Sequence, residues 1–215
     1  AGGAAVTDIS QVRADADVYI LSVKDDALPV LIPQLCRGRE DKLFLHTAGS
    51  VSIDVFQGMA RHYGVFYPMQ TFSRQKRVSF EEIPCFIEGS GEEETAAIEA
   101  LASQLSHRVY RLSSEARKYL HLSAVFACNF VNHCYAISAE LLEKHGIPFD
   151  VMLPLIDETA AKVHQMSPKD AQTGPAVRYD ENVIRAQSQL LKNNPLVKDI
   201  YDRMSMNIHR LSEEV

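Results

Sequence analysis

The stretch from Tyr119 to Ala139 contains no Asp, Glu, Lys or Arg, yet it holds His121, Asn129, Asn132 and His133. A helix that runs for roughly six turns without a charge is normally buried. Buried imidazoles and amides need hydrogen-bonding partners or a ligand to offset their desolvation. On a helix, Lys118, His121, Val125, Asn129 and Asn132 fall on one side, and Leu120, Ala124, Ala127, Val131 and Leu141 on the other. The stretch is about as long as a membrane span, but a true span rarely carries four such polar groups together. It reads as the buried helix of a soluble protein, with the polar stripe as its candidate functional surface.

The residues before this stretch alternate between strand-like and helix-like segments. Val18–Val23 and Lys42–His46 are short apolar runs, separated by a helical Ala27–Cys36. Thr47-Ala48-Gly49 makes a turn, and Ser50 is placed to cap a helix reaching about Tyr63. Gly64–Tyr67 reads as the next strand, followed by Pro84–Glu88, a helix over Glu92–Leu105, and a strand at Arg108–Leu112. Repeated βα units predict a mainly parallel sheet of the Rossmann type.

After residue 112 the character changes. Ser113 or Ser114 can cap a helix running to about His145, where Gly146 and Pro148 supply a stop. Asp150 caps a helix to about Met166, and further helices are expected over Glu181–Lys192 and Pro195–Leu211. The expected organisation is an α/β domain over 1–112 and an all-helical domain over 113–215.

Apolar content of 46% and a net charge of −6 mark an ordinary globular chain without a basic patch. Nucleic-acid binding and docking on an anionic membrane are therefore not expected. No secretion signal opens the sequence, and Cys36, Cys85, Cys128 and Cys134 form no CxxC pair. Reduced thiols in a cytoplasmic protein fit best, and no ligand spacing points to a metal.

A dinucleotide-binding sheet usually begins with a strand, a GxGxxG turn and a helix. No GxGxxG occurs here, and Gly2-Gly3 lies too near the first residue to follow a strand. Either this is not a dinucleotide site, or its first unit lies upstream of the sequence.

Ile20–Leu28 (ILSVKDDAL), His46–Ser50 (HTAGS), Tyr67–Ser73 (YPMQTFS), the helix with YLHLSAVFACNFVNH, and Gln172–Asp180 (QTGPAVRYD) follow one another in order. Together they resemble bacterial Rossmann-like proteins with a C-terminal helical domain of unknown function, described as NADP-dependent oxidoreductases. Pyrroline-5-carboxylate reductase and the 3-hydroxyisobutyrate and 6-phosphogluconate dehydrogenases are distant relatives. The resemblance implies NADP as cofactor, with NAD as the alternative, a small-molecule substrate, and a homodimer formed through the helical domain. It also implies a glycine-rich phosphate loop upstream, and a serine where this chain has Ala48.

On that resemblance and on their position after strands, Ser22, Val23, Lys24, His46, Thr47 and Gly49 are the candidate cofactor contacts. Gln70 and Thr71 offer neutral hydrogen bonds to a substrate. Reduction of a C=N or C=O bond needs a proton donor beside the hydride donor. Lys118 and His121 are candidates for that role, with Asn129 and Asn132 orienting the substrate and Arg178 clamping a carboxylate. In the related dehydrogenases a lysine and an asparagine on the corresponding helix do such work, but here Leu122, not Asn, follows Lys118 at i+4. A polar subunit interface is the competing reading of the stripe, and a non-catalytic nucleotide- or metabolite-binding protein is the competing function.

Overall fold

The computed structural model describes residues 4–73 and 76–213. The chain divides into two compact units, Ala1–Phe130 and Val131–Val215. The first unit carries a five-stranded sheet in the order β1-β2-β3-β4-β5: β1 (Val18–Leu21), β2 (Leu43–His46), β3 (His62–Pro68), β4 (Cys85–Gly89) and β5 (Val109–Arg111). β1, β2 and β3 are parallel, with Val18 opposite Leu43 and Leu43 opposite His62. β4 runs antiparallel to β3, and β5 is parallel to β4. The result is a mostly parallel Rossmann-like sheet with helices on its faces.

Alternation along β2 explains why both faces are covered. Phe44 and Leu45 are fully buried on opposite sides. Phe44 joins Tyr19, Leu21 and Phe56 beneath helix α1 (Leu28–Cys36), whose Leu28, Ile32 and Cys36 recur at helical spacing. Leu45 joins Phe66, Cys85 and Ile87 beneath α2 (Glu92–Ser103), through Ile98 and Ala102. Each such large side chain removed from water contributes about 1.5–3 kcal/mol.

The helix expected from Ser50 to Tyr63 does not form. Ser52 instead accepts from the Asp54 N–H and caps a short 3-10 turn over Ile53–Phe56. Gly58 at φ 75° turns the chain out of helical geometry. Pairing with Leu43 then draws His62 and Tyr63 into β3, which begins two residues before the expected strand.

The long helix departs further from expectation. Ser113 accepts from the Ala116 N–H and caps α3 (Ser114–Ala124). Val125–Phe130 is a π-segment, and α4 (Val131–Glu143) follows in the second unit. The boundary between the two compact units lies at Phe130, inside the helical run. Nor is the charge-free stretch buried by its own chain: Tyr119 is 69%, Phe126 61% and Leu122 50% exposed. Among the described residues, no helix is long and apolar enough to cross a membrane.

The second unit continues with α5 (Leu153–Lys162), α6 (Glu181–Leu190) and α7 (Pro195–Glu213). Asp180 caps α6 by accepting from the Val183 N–H, and Gly146 at φ 67° ends the run after α4. Tyr201 of α7 donates to Gln187 of α6 at 2.7 Å. The buried residues described in this unit are small: Ala176, Ser188 and Ser205. Leu155, Leu190 and Leu196 stand largely exposed.

Candidate functional site

Because β1, β2 and β3 are parallel, their carboxyl ends lie along one edge of the sheet. Ligands of open α/β sheets bind beyond that edge. The loops that leave it begin at Ser22, Thr47 and Met69. Two of them are laced together. Thr47 donates its hydroxyl to Ser22 Oγ at 3.2 Å and its N–H to the Leu21 carbonyl. Ser50 donates its hydroxyl to the Asp25 carboxylate.

A cleft of about 560 Å³ opens at this edge, wholly within the first unit. Tyr67, Met69, Gln70, Thr71 and Phe72 form one wall, following β3. The other wall is helical: Leu120, His121, Ser123 and Ala124 from α3, then Ala127, Cys128 and Asn129 from the π-segment. Eight residues separate His121 from Asn129, about 2.2 turns of an α-helix. The wider turn of the π-segment reduces that overshoot, bringing Asn129 towards alignment with His121 on the cleft. Leu120, Ala124 and Ala127, expected on the opposite side of the helix, share this wall.

The two walls meet at Tyr67 and His121. Tyr67 Oη lies 3.1 Å from His121 Nδ1, and the rings meet edge to face at 6.1 Å. Gly49 makes this possible, since a β-carbon there would lie 2.5 Å from Nδ1. Gly49 thus accommodates a side chain of the same protein, where the sequence suggested close approach of a ligand. Burial, with a smaller push from Asp25, raises the Tyr67 phenol above its ordinary value, and Arg117 works against the rise. At neutral pH Tyr67 is a protonated donor.

A buried ion pair fixes α3 to the sheet. Arg117 is completely enclosed, and its Nη1 donates to Glu88 Oε2 of β4 at 2.6 Å. Its Nη2 donates to the Val51 carbonyl and to Ser114 Oγ, whose hydroxyl donates to the same Glu88 oxygen. Ser114 Oγ also accepts from the Ile53 N–H. A charge so desolvated is held by its partners, and these belong to β4, the loop after β2 and α3 itself. They set where the next turn of α3 places His121.

His46 is fully buried, its ring stacked on Phe56 at 5.8 Å. Nδ1 accepts from the Ala48 N–H at 3.1 Å, and Nε2 lacks a hydrogen-bond partner. Burial, aided by Arg117, pushes the His46 pKa down to about 4, and weaker pulls from Ser52, Asp25 and Glu88 do not offset this. His46 is therefore a neutral core side chain, with no face on the cleft.

The other expected residues divide clearly. His121, Asn129, Gln70 and Thr71 come together in the cleft. Ser22, Val23 and Lys24 are exposed at the end of β1, and Thr47 is half-buried beside Ser22. Lys118 is exposed and does not line the cleft. Asn132 and Arg178 belong to the second unit and are exposed.

Tyr67 received no role in the sequence reading, although its place at the end of a strand before Pro68 could have marked it. Arg117 left no signal, because a charged residue next to Lys118 reads as solvated. Cys128 was hidden in the apolar run.

The family model described as a domain of unknown function, DUF2520, matches residues 83–208. The chain belongs to the DUF2520 family. Among solved structures, a Bacteroides fragilis protein provisionally named an NADP oxidoreductase is 55% identical to this DUF2520 chain, with a TM-score of 0.91. The match covers 95% of this chain and 80% of that protein. A Thermotoga maritima protein is 20% identical over 94% of this chain and 82% of its own, with a TM-score of 0.79. An imine reductase from Myxococcus stipitatus, solved with NADP+, is 14% identical over 97% of this chain and 78% of its own, with a TM-score of 0.64. These two share the Rossmann-like fold. No curated protein matches the DUF2520 chain in sequence.

Proposed function

We propose that this protein is a nicotinamide-dinucleotide-dependent oxidoreductase, NADP being the favoured cofactor, that reduces a C=N or C=O bond of a small metabolite or runs the reverse reaction. The observation that carries this reading is the meeting of Tyr67 and His121 in a cleft at the carboxyl edge of the parallel strands. The 55% identical B. fragilis protein and the NADP+-bound imine reductase support the same chemistry.

The residues at the edge suit the sugar and nicotinamide end of such a cofactor. Ser22 and Thr47 present hydroxyls, and Lys24 an exposed ammonium. When bound, the cofactor supplies the hydride. The chain's own residues then have three tasks. Gln70, Thr71 and Asn129 hold the substrate by neutral hydrogen bonds. Leu120, Ala124, Ala127 and Phe72 exclude water from the reacting carbon. The proton comes from the Tyr67–His121 pair, where the two walls meet. A π-segment in the wall of such a cleft is a frequent companion of function.

The protein works as a homodimer. The second unit buries little beyond Ala176, Ser188 and Ser205, while the charge-free helix exposes Leu122, Phe126 and Phe130. Apolar area of that kind marks an association surface. The four free cysteines favour the cytoplasm.

Calorimetric titration of the full-length protein with NADPH and NADH tests the reading. Saturable binding of at least one is expected, with Asn129→Ala losing turnover and keeping cofactor affinity. Failure of both cofactors to bind at millimolar concentration overturns it.

A further inference from the structure

We infer that Tyr67 is the terminal proton donor of this site and that His121 recharges it, so that solvent, imidazole, phenol and substrate form one proton path. The inference rests on the oxidoreductase reading and adds a catalytic residue to it.

The geometry distinguishes the two groups. His121 Nδ1 is engaged by Tyr67 Oη at 3.1 Å, so this nitrogen faces the phenol and not a substrate. A phenol oxygen can accept a hydrogen bond from Nδ1 and donate its own proton at the same time. Tyr67 also stands at the end of β3, the strand next to β2, whose following loop is tied to Ser22. His121 arrives from the helical side. Its ring is confined by Gly49, where no β-carbon intervenes, and by the Tyr67 ring edge. The ring of Tyr67 is backed by Phe86 at 6.5 Å, so the phenol is fixed on both sides.

The step balances as follows. As hydride reaches the carbon of the C=N or C=O group, the π pair of that bond moves to the heteroatom. The heteroatom takes the Tyr67 proton, breaking the O–H bond. The phenolate then takes the Nδ1 proton of the protonated His121 ring, and solvent returns a proton to the imidazole. The charges acting on Tyr67 come from two other elements: Arg117 on α3, which favours the transient phenolate, and Asp25 after β1, which opposes it. Arg117 is itself neutralised by Glu88, which keeps its effect moderate.

The test uses full-length wild type, Tyr67→Phe and His121→Gln. NADPH binding is followed by calorimetry, NADPH oxidation with 1-pyrroline and with cyclohexanone as probes, and the ring nitrogens of His121 by ¹⁵N NMR. Tyr67→Phe should bind NADPH as wild type does, lose about 100-fold in kcat, and move the His121 Nδ1 resonance, which loses its hydrogen-bond partner. His121→Gln should lose less, and its pH profile of kcat should differ from that of wild type. Added imidazole should restore part of its rate. Wild-type kcat and pH profile in Tyr67→Phe would overturn the assignment while leaving the oxidoreductase reading intact. If wild type binds NADPH but reduces neither probe, an unmoved His121 Nδ1 resonance in Tyr67→Phe overturns it, and a moved one supports the coupled pair. If wild type binds no cofactor, both fall together.

Discussion

The imidazole of His121 occupies the space that a β-carbon on residue 49 would need, 2.5 Å from its Nδ1, so Gly49 and His121 are complementary surfaces of one contact. The contact joins the loop after β2 to α3. Tyr67 closes it from a third direction, 3.0 Å from the same β-carbon position.

Gly49→Ala should therefore disturb the site more than a surface change would. Both neighbours are ring atoms held by packing, so the added methyl costs about 1–3 kcal/mol of stability. It should also part Tyr67 from His121. Urea denaturation checks the first effect. Combining Gly49→Ala with His121→Ala should recover much of the loss, a coupling that a double-mutant cycle measures.

Glu88 matters because Arg117 has nowhere else to place its charge. Glu88→Ala leaves an enclosed guanidinium with only Ser114 Oγ and the Val51 carbonyl. A loss of roughly 3–5 kcal/mol is expected. Changing both residues, Glu88→Leu with Arg117→Met, should cost far less than Glu88→Ala alone. Chemical denaturation of the three proteins decides the point.

Acid sensitivity should trace to His46. Its folded pKa, near 4, lies below the value of about 6.5 expected in the unfolded chain. Between these values the unfolded state binds more protons, so stability rises with pH there. The full contribution is present above about pH 6.5 and is lost as pH falls towards 4, a change of a few kcal/mol. His46→Asn keeps an acceptor near the Ala48 N–H and should flatten this window relative to wild type. Thermal or urea denaturation from pH 7 to pH 4 provides the comparison.

Self-association should depend on the exposed face of the charge-free helix. Phe126 and Phe130 stand edge to face at 4.9 Å and are largely exposed. Phe126→Asp should convert the homodimer to monomer in sedimentation velocity, with far-ultraviolet circular dichroism unchanged. A wild-type protein that sediments as a monomer at micromolar concentration would remove the dimer from the proposal.

Local chemistry in the sequence determined much of the frame. Ser113 and Asp180 act as caps, Gly146 stops the helical run, and the apolar runs at Val18, Leu43 and Cys85 form strands. Each depends on neighbours a few residues away. The positions after β1, β2 and β3 were also legible as an edge, because parallel strands place their ends together. The tertiary structure alone decided what meets there. Tyr67 and His121 lie 54 residues apart, and nothing local sets their distance. Arg117 is buried because Glu88 and Val51 arrive from other elements, which a charged residue does not announce. Absence of charge looks the same in sequence whether a helix is covered by its own chain or left exposed. The fold resolved that ambiguity, leaving Tyr119, Leu122 and Phe126 exposed while turning His121 and Asn129 onto the cleft.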